Sequence, residues 1–194
     1  YKVEGVGTCL LSRFRPSDTL NIQGPLGRPF PVPPGKRRYI LVAGGIGVAP
    51  FPALAEAVIA AGGMPEILLA ARTEQLLVGG REFTRMGCRV SVATDDGSAG
   101  LKGTAAELLA SALESGTDGV VYACGSMPML RAVHEICQAA GVVCWASLEA
   151  HMACGDGVCM GCVVPANRET ESERMARVCR EGPVFDTREI NWTA

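Results

Sequence analysis

Four cysteines in the last quarter of the chain constrain its fold more than any other feature. Cys154, Cys159 and Cys162 stand at C-x4-C-x2-C spacing, and Cys179 follows after sixteen intervening residues. Four thiolates hold the two irons of a [2Fe–2S] cluster when a tight loop supplies three of them and a later segment the fourth. Gly155, Gly157 and Gly161 fall between the first three. A loop that wraps a cluster must bring backbone N–H groups up to sulfur and turn through positive φ, which glycine does at little cost. Structural zinc is the competing occupant, but its ligands usually come as two close pairs, and x4 followed by x2 fits that poorly.

Upstream of these cysteines the chain alternates apolar runs with helical patterns. Residues 39–43 are continuously apolar, as strands buried on both faces of a parallel sheet are. Further strands are expected at 66–71, 89–93, 120–124 and 142–147. Helices are expected at 49–61, from an N-cap at Thr104 to residue 113, and at 127–140. The pattern predicts an open, five-stranded, mostly parallel α/β sheet over residues 36–149. Residues 1–35 read as the end of a β domain, with a strand at 1–7, one helical turn within 8–14, a second short strand and a Gly/Pro loop. A proline-rich, then basic linker follows at 31–38. Residues 150–194 read as a small subdomain stapled by metal rather than by a core of its own, with a charged surface insertion at 168–174.

Open α/β sheets bind ligands outside the carboxyl ends of their strands, and three distinctive turns lie there. Gly44, Gly45 and Gly47, in Gly-Gly-Ile-Gly-Val-Ala-Pro, would let backbone N–H groups approach a pyrophosphate. A tight turn needing glycine explains them equally well, because Pro50 interrupts the full dinucleotide fingerprint. Asp95 and Asp96 would accept from ribose hydroxyls and repel a 2′-phosphate, favouring NAD over NADP; an Asp-Gly turn is the alternative. Cys124 and Gly125 close the fourth strand, where a small thiol would suit a flat nicotinamide ring, although a buried inert cysteine is the commoner case. His134 is expected to be a packing or surface residue, and His151 to lie near the cluster without ligating it. Cys9, Cys88, Cys137 and Cys144 receive no function. There is no Ser-His-Asp arrangement, P-loop or pair of catalytic carboxylates, and electron transfer needs none, because cofactors carry the chemistry.

Composition narrows the setting. A net charge of −2 without a Lys/Arg run argues against a nucleic-acid partner. Nine cysteines are an odd count, and four form one ligand set, so a reducing cytoplasm fits better than a secreted disulfide framework. Between residues 39 and 65 only Glu56 is charged, long enough to cross a bilayer, but glycines and prolines break the stretch into strand, turn and helix. No membrane association is expected. Residue 1 is Tyr, and residues 1–7 read as a strand already under way, so an upstream segment is expected.

Together these motifs resemble the electron-transfer subunit of type B dihydroorotate dehydrogenase, in the ferredoxin reductase superfamily. The resemblance runs through Gly7-Thr8, Gly24-Pro-Leu-Gly, Gly44-Gly-Ile-Gly-Val-Ala-Pro, Thr94-Asp-Asp-Gly-Ser and Tyr122-Ala-Cys-Gly. It is most specific in Met152-Ala-Cys-Gly-Asp-Gly-Val-Cys-Met-Gly-Cys-Val-Val, with Arg177-Val-Cys and Gly182-Pro-Val-Phe behind it. It implies an FAD-binding β-barrel ending in residues 1–35, an NAD(H) domain, and a [2Fe–2S] cluster on Cys154, Cys159, Cys162 and Cys179. Gly7 and Thr8 would touch the flavin, while the Arg-Pro-x-Ser flavin motif of the family is absent from this sequence. The implied partner is an FMN-containing dihydroorotate dehydrogenase catalytic subunit, in a heterotetramer with two chains of each kind. A second resemblance is to the small subunit of NADH-dependent ferredoxin:NADP or sulfide-type reductases. An aspartate often stands at the first ligand position in that group, so Cys154 favours the dihydroorotate branch. A non-catalytic zinc module is the reading of another class.

Overall fold

The computed structural model describes residues 1–35, 38–167 and 174–193. Its centre is a seven-stranded sheet. In chain order the strands are β1 (Arg38–Gly44), β2 (Pro65–Ala71), β3 (Arg89–Thr94), β4 (Leu101–Lys102), β5 (Gly119–Cys124), β6 (Val143–Ser147) and, from the tail, β9 (Val184–Asp186). Their spatial order is β4-β3-β2-β1-β5-β6-β9. All neighbours pair in parallel except β6 and β9. The chain enters at the middle, winds outward through β2 and β3, then returns to β5 on the other side of β1. The crevice of such a sheet lies at that reversal, outside the carboxyl ends of β1 and β5.

Apolar runs become central strands because both faces are covered. All six residues of β5 are buried, as are the five inner residues of β1. On one face, Leu41, Ile67 and Tyr122 pack with Phe51, Leu54 and Val58 of α2 (Phe51–Ala60) and Phe83 of α3 (Gly80–Arg85). On the other, Ile40, Val42 and Val121 pack with Leu109 of α4 (Ala105–Glu114) and Leu130 and Val133 of α5 (Met127–Ala140). Local signals set the helix ends. Thr104 Oγ1 accepts from Glu107 N at 3.3 Å while Glu107 Oε2 accepts from Thr104 N at 2.7 Å, a reciprocal cap. Gly141, in the left-handed region at φ 67°, closes α5.

The sheet has two strands more than the five expected. β4 is two residues long and β9 three, and β9 belongs to the segment read as an independent subdomain. That segment also contributes Cys162, Val164, Val178, Phe185 and Ile190 to the core beneath α4 and α5, so it shares the sheet's core. Its own hairpin, β7 (Val163–Pro165) with β8 (Met175–Arg177), is antiparallel. The insertion expected at 168–174 lies, Arg174 excepted, outside the described residues, as do Lys36 and Arg37 of the linker.

Residues 1–7 are not a strand. Val6–Leu11 form a short helix, α1, entered through Thr8 Oγ1, which accepts from Glu4 N at 3.0 Å and Gly5 N at 3.1 Å. A strand needs a neighbour to pair with, and within residues 1–35 the backbone pairs as β-bridge only at Arg28, with Pro183. The helix expected at 49–61 is α2, Phe51–Ala60, which carries a proline in its first turn, and a one-turn 3-10 helix, Gly45–Val48, precedes it within the glycine turn. Among the described residues no helix is long and apolar enough to cross a membrane.

Candidate functional site

A cavity of about 700 Å³ opens at the carboxyl ends of β1, β2 and β3. Its walls include Gly44 and Gly45, Arg72 after β2, Asp95 after β3, and Thr104 and Ser126, the N-caps of α4 and α5. Backbone N–H groups at two helix N-termini and one guanidinium make this end of the cleft suited to a phosphate-bearing ligand.

The expected residues divide by role. Gly47 does not line the cavity; it lies where a Cβ would stand 2.2 Å from the carbonyl oxygen of Cys124, so only glycine lets the turn after β1 pass beside the end of β5. Asp95 faces the cavity. Asp96 closes its own turn instead, accepting from Ser98 N at 2.9 Å and Ser98 Oγ at 2.6 Å, bonds that hold its carboxyl below the usual range. Cys124 and Gly125 are buried just behind the wall. Burial, reinforced by the Glu149 carboxylate and opposed by a hydrogen bond with Ser147, pushes the Cys124 thiol up to about 11. It is therefore a neutral packing group at ordinary pH. Gly7 and Thr8 lie on α1, exposed and half-buried respectively, and do not line the cavity. Sequence reasoning missed Arg72, Thr104 as a wall residue, and Ser126; the cation directly after a buried apolar strand was the available signal.

The second part of the site is the cysteine loop. Cys162 and Cys179 are buried, Cys154 is half-buried and Cys159 is exposed. Cys162 Sγ and Cys179 Sγ are 3.2 Å apart. Backbone donors point at three of the sulfurs: Cys159 N to Cys154 Sγ at 3.5 Å, Gly161 N to Cys159 Sγ at 3.4 Å, and Cys179 N to Cys162 Sγ at 3.4 Å. The N–H of Gly161 and then that of Cys154 draw the Cys159 thiol below its ordinary value, whereas the neighbouring Cys162 and burial raise that of Cys179. N–H groups aimed at sulfur stabilise thiolate, the form that ligates iron. Among the described residues no three His, Cys, Asp or Glu side chains are grouped around one single-ion position. A binuclear cluster needs two thiolates on each iron, and a close sulfur pair with N–H donors on neighbouring thiols fits that demand. His151 is exposed on the approach to Cys154, and His134 stacks on Trp192 with ring centroids 5.4 Å apart.

Comparison with known proteins agrees with both halves. The oxidoreductase NAD-binding domain model matches residues 41–135, and the model of the iron–sulfur cluster binding domain of dihydroorotate dehydrogenase B matches residues 149–191. The dihydroorotate dehydrogenase B (NAD(+)) electron transfer subunit of Caldanaerobacter subterraneus subsp. tengcongensis is 42% identical over 98% of this chain and 73% of its own length. The chain belongs to the family of dihydroorotate dehydrogenase B electron transfer subunits. Another member, from a Geobacillus species, is 40% identical over 98% of this chain and 72% of its own.

As a dihydroorotate dehydrogenase B electron transfer subunit, the chain is part of an oxidoreductase and works beside a catalytic partner. Its iron–sulfur domain sets aside the zinc-module reading. The structure of an NADH-dependent reduced ferredoxin-NADP oxidoreductase superposes on all of this chain and 68% of its own, with TM-score 0.86 and 31% identity. The C-terminal domain of a Pyrococcus furiosus hydrogenase shares the fold, with TM-score 0.53 at 19% identity over 63% of this chain and 99% of its own.

Proposed function

We propose that this chain carries electrons between NAD(H) in the cleft and a [2Fe–2S] cluster on Cys154, Cys159, Cys162 and Cys179, with FAD between them. The other end of the path is the FMN of a dihydroorotate dehydrogenase catalytic subunit, in a cytoplasmic heterotetramer with two chains of each kind. One observation carries the reading. Cys124, behind the cleft wall, pairs in register with Ser147, and from Ser147 the chain runs directly into the cysteine loop. The cleft and the thiols therefore leave the same end of adjacent strands.

When bound, flavin exchanges a hydride as an electron pair and the cluster passes electrons singly. The residues of this chain bind and orient. Gly44, Gly45 and the N-terminus of α5 receive the pyrophosphate, Arg72 adds charge to it, and Asp95 takes the ribose and disfavours a 2′-phosphate. Gly125 leaves room for Met129, which lines the cleft, and Cys124 backs the wall on the side where the nicotinamide would bind. Gly7 and Thr8 contribute to the flavin side. In this reading residues 1–35 end a flavin-binding barrel, 36–149 form the NAD domain and 150–194 the cluster-binding region.

Co-production with the candidate catalytic subunit tests the proposal. Dihydroorotate-dependent reduction of NAD should require both chains, and iron with acid-labile sulfide should be present. The similarity to the ferredoxin-NADP oxidoreductase keeps a second reading in the same assay. If the pair exchanges electrons with ferredoxin or polysulfide and not with dihydroorotate, that reading holds instead.

A further inference from the structure

Two arginines grip the cysteine loop from the segment that carries the fourth cysteine. Arg177 ends β8, two residues before Cys179. Its Nη1 donates to the carbonyl oxygen of Gly157 at 2.9 Å, and Arg180 Nη1 donates to that of Asp156 at 3.4 Å. These carbonyls sit midway between Cys154 and Cys159. Gly157 has φ 87°, and a Cβ there would come within 2.8 Å of Arg180 Cδ and 3.3 Å of Arg177 Nη1, so the loop lies flush against both side chains. The Arg177 fork is itself fixed. Its Nε and Nη2 donate to the carboxylate of Glu181, whose Oε2 also accepts from Arg177 N at 2.8 Å. The backbone N–H groups of Arg180 and Glu181 return to the carbonyl of Arg177. The ion pair is largely shielded, with side-chain exposures of 28% and 18%.

We propose that Arg177 is a positioning residue for the cluster: it ties the loop of Cys154 and Cys159 to the segment of Cys179, and its charge, balanced by Glu181, sets the cluster's reduction potential. The inference rests on the four cysteines being the cluster ligands. A guanidinium fork joins a carbonyl and a carboxylate in one plane, which an ammonium does not reproduce. A positive charge near a cluster that gains an electron favours the reduced form, and a negative charge disfavours it.

Three variants of the cluster-loaded protein separate tether from charge. Arg177→Gln removes both, so iron release to a ferrous chelator should quicken by about tenfold or more, the usual scale for losing a group that orients a metal ligand. Its cluster should also become harder to reduce, by roughly tenfold in the equilibrium, which is about 59 mV for one electron. Glu181→Gln keeps an acceptor for the fork but removes the negative charge, so the potential should move the opposite way with iron release near wild type. Arg177→Lys should restore the potential but not the iron retention. Potentials are read by electron paramagnetic resonance during redox titration. Wild-type potential and iron release in both Arg177→Gln and Glu181→Gln would overturn the inference, and Glu181→Gln alone decides the charge effect if Arg177→Gln does not fold. A wild-type protein without iron and sulfide overturns the ligand assignment, and the inference with it.

Discussion

Cys162 Sγ and Cys179 Sγ stand 3.2 Å apart although seventeen positions separate them in the chain. The contact is maintained by Val178 N donating to Cys162 O at 3.0 Å, one residue beyond the β7–β8 hairpin. Cys179→Ser therefore removes a thiol from a preformed pair and leaves the NAD cleft untouched. In the complex with the catalytic subunit, NADH-driven flavin reduction should stay within about twofold of wild type while transfer to the partner falls by about tenfold or more. Stopped-flow flavin absorbance and partner turnover measure the two rates, and equal loss in both would count against the assignment.

Gly47 has no room for a methyl group. The nearest obstacle is backbone, the carbonyl of Cys124, which cannot swing away as a side chain can. Gly47→Ala should lower stability by roughly 1–3 kcal/mol, the range for overpacking a tight site, and raise the KM for NADH because the turn must shift. Thermal unfolding and steady-state kinetics report both. An unchanged melting temperature would contradict the close approach.

Asp95 and Asp96 should not be equivalent. Asp95 faces the cavity, while Asp96 spends both its bonds on Ser98. Asp95→Asn should erode the preference for NADH over NADPH by roughly tenfold, as removal of one repulsive charge implies. Asp96→Asn should leave the preference nearly unchanged and cost a little stability through the turn. The ratio of kcat/KM values for the two nucleotides decides it.

His134 gives the fold a dependence on pH. Burial lowers its pKa from the ordinary 6.5, with Glu135 and Asp186 opposing, and its Nδ1 is buried without a hydrogen-bond partner. The unfolded chain thus binds this proton more readily than the folded one. The stability contributed is present above pH 6.5 and is lost as pH falls through that value towards the folded pKa. His134→Phe keeps a ring for Trp192 to stack on and should flatten the slope between about pH 7.5 and 5.5. Urea unfolding across that range provides the comparison.

Of the strands that sequence pattern revealed, β1, β2 and β5 are buried on both faces, where burial demands a nearly continuous apolar run. β3 and β6 are only partly buried and showed through their five or six residues rich in β-branched and apolar side chains. β4 and β9 were invisible because two or three residues carry no period, and their pairing depends on where the sheet edges fall. Residues 1–7 misled because the alternation of Tyr1 and Val3 with Lys2 and Glu4 imitates a strand, whereas a strand is made by its neighbour. In the site, Asp95 and Asp96 could not be told apart by type, since both follow β3; which one faces the cleft is decided by the turn at Ser98. Arg72, Thr104 and Ser126 come together only through the crossovers of the fold. The cysteine loop was the most legible part, because its spacing and glycines encode its geometry locally.

Ser147 pairs in register with Val184 across β6 and β9, so the excursion that bears the cysteines leaves the sheet and rejoins it at the same rung. It is a peninsula with a fixed neck. The apolar side chains around that neck, Leu148, Val178 and Phe185 among them, are buried in the core shared with the sheet. The loop between Cys154 and Cys162 is thus tethered at both ends to the same sheet edge, and Cys179 reaches it from the strand side of that edge.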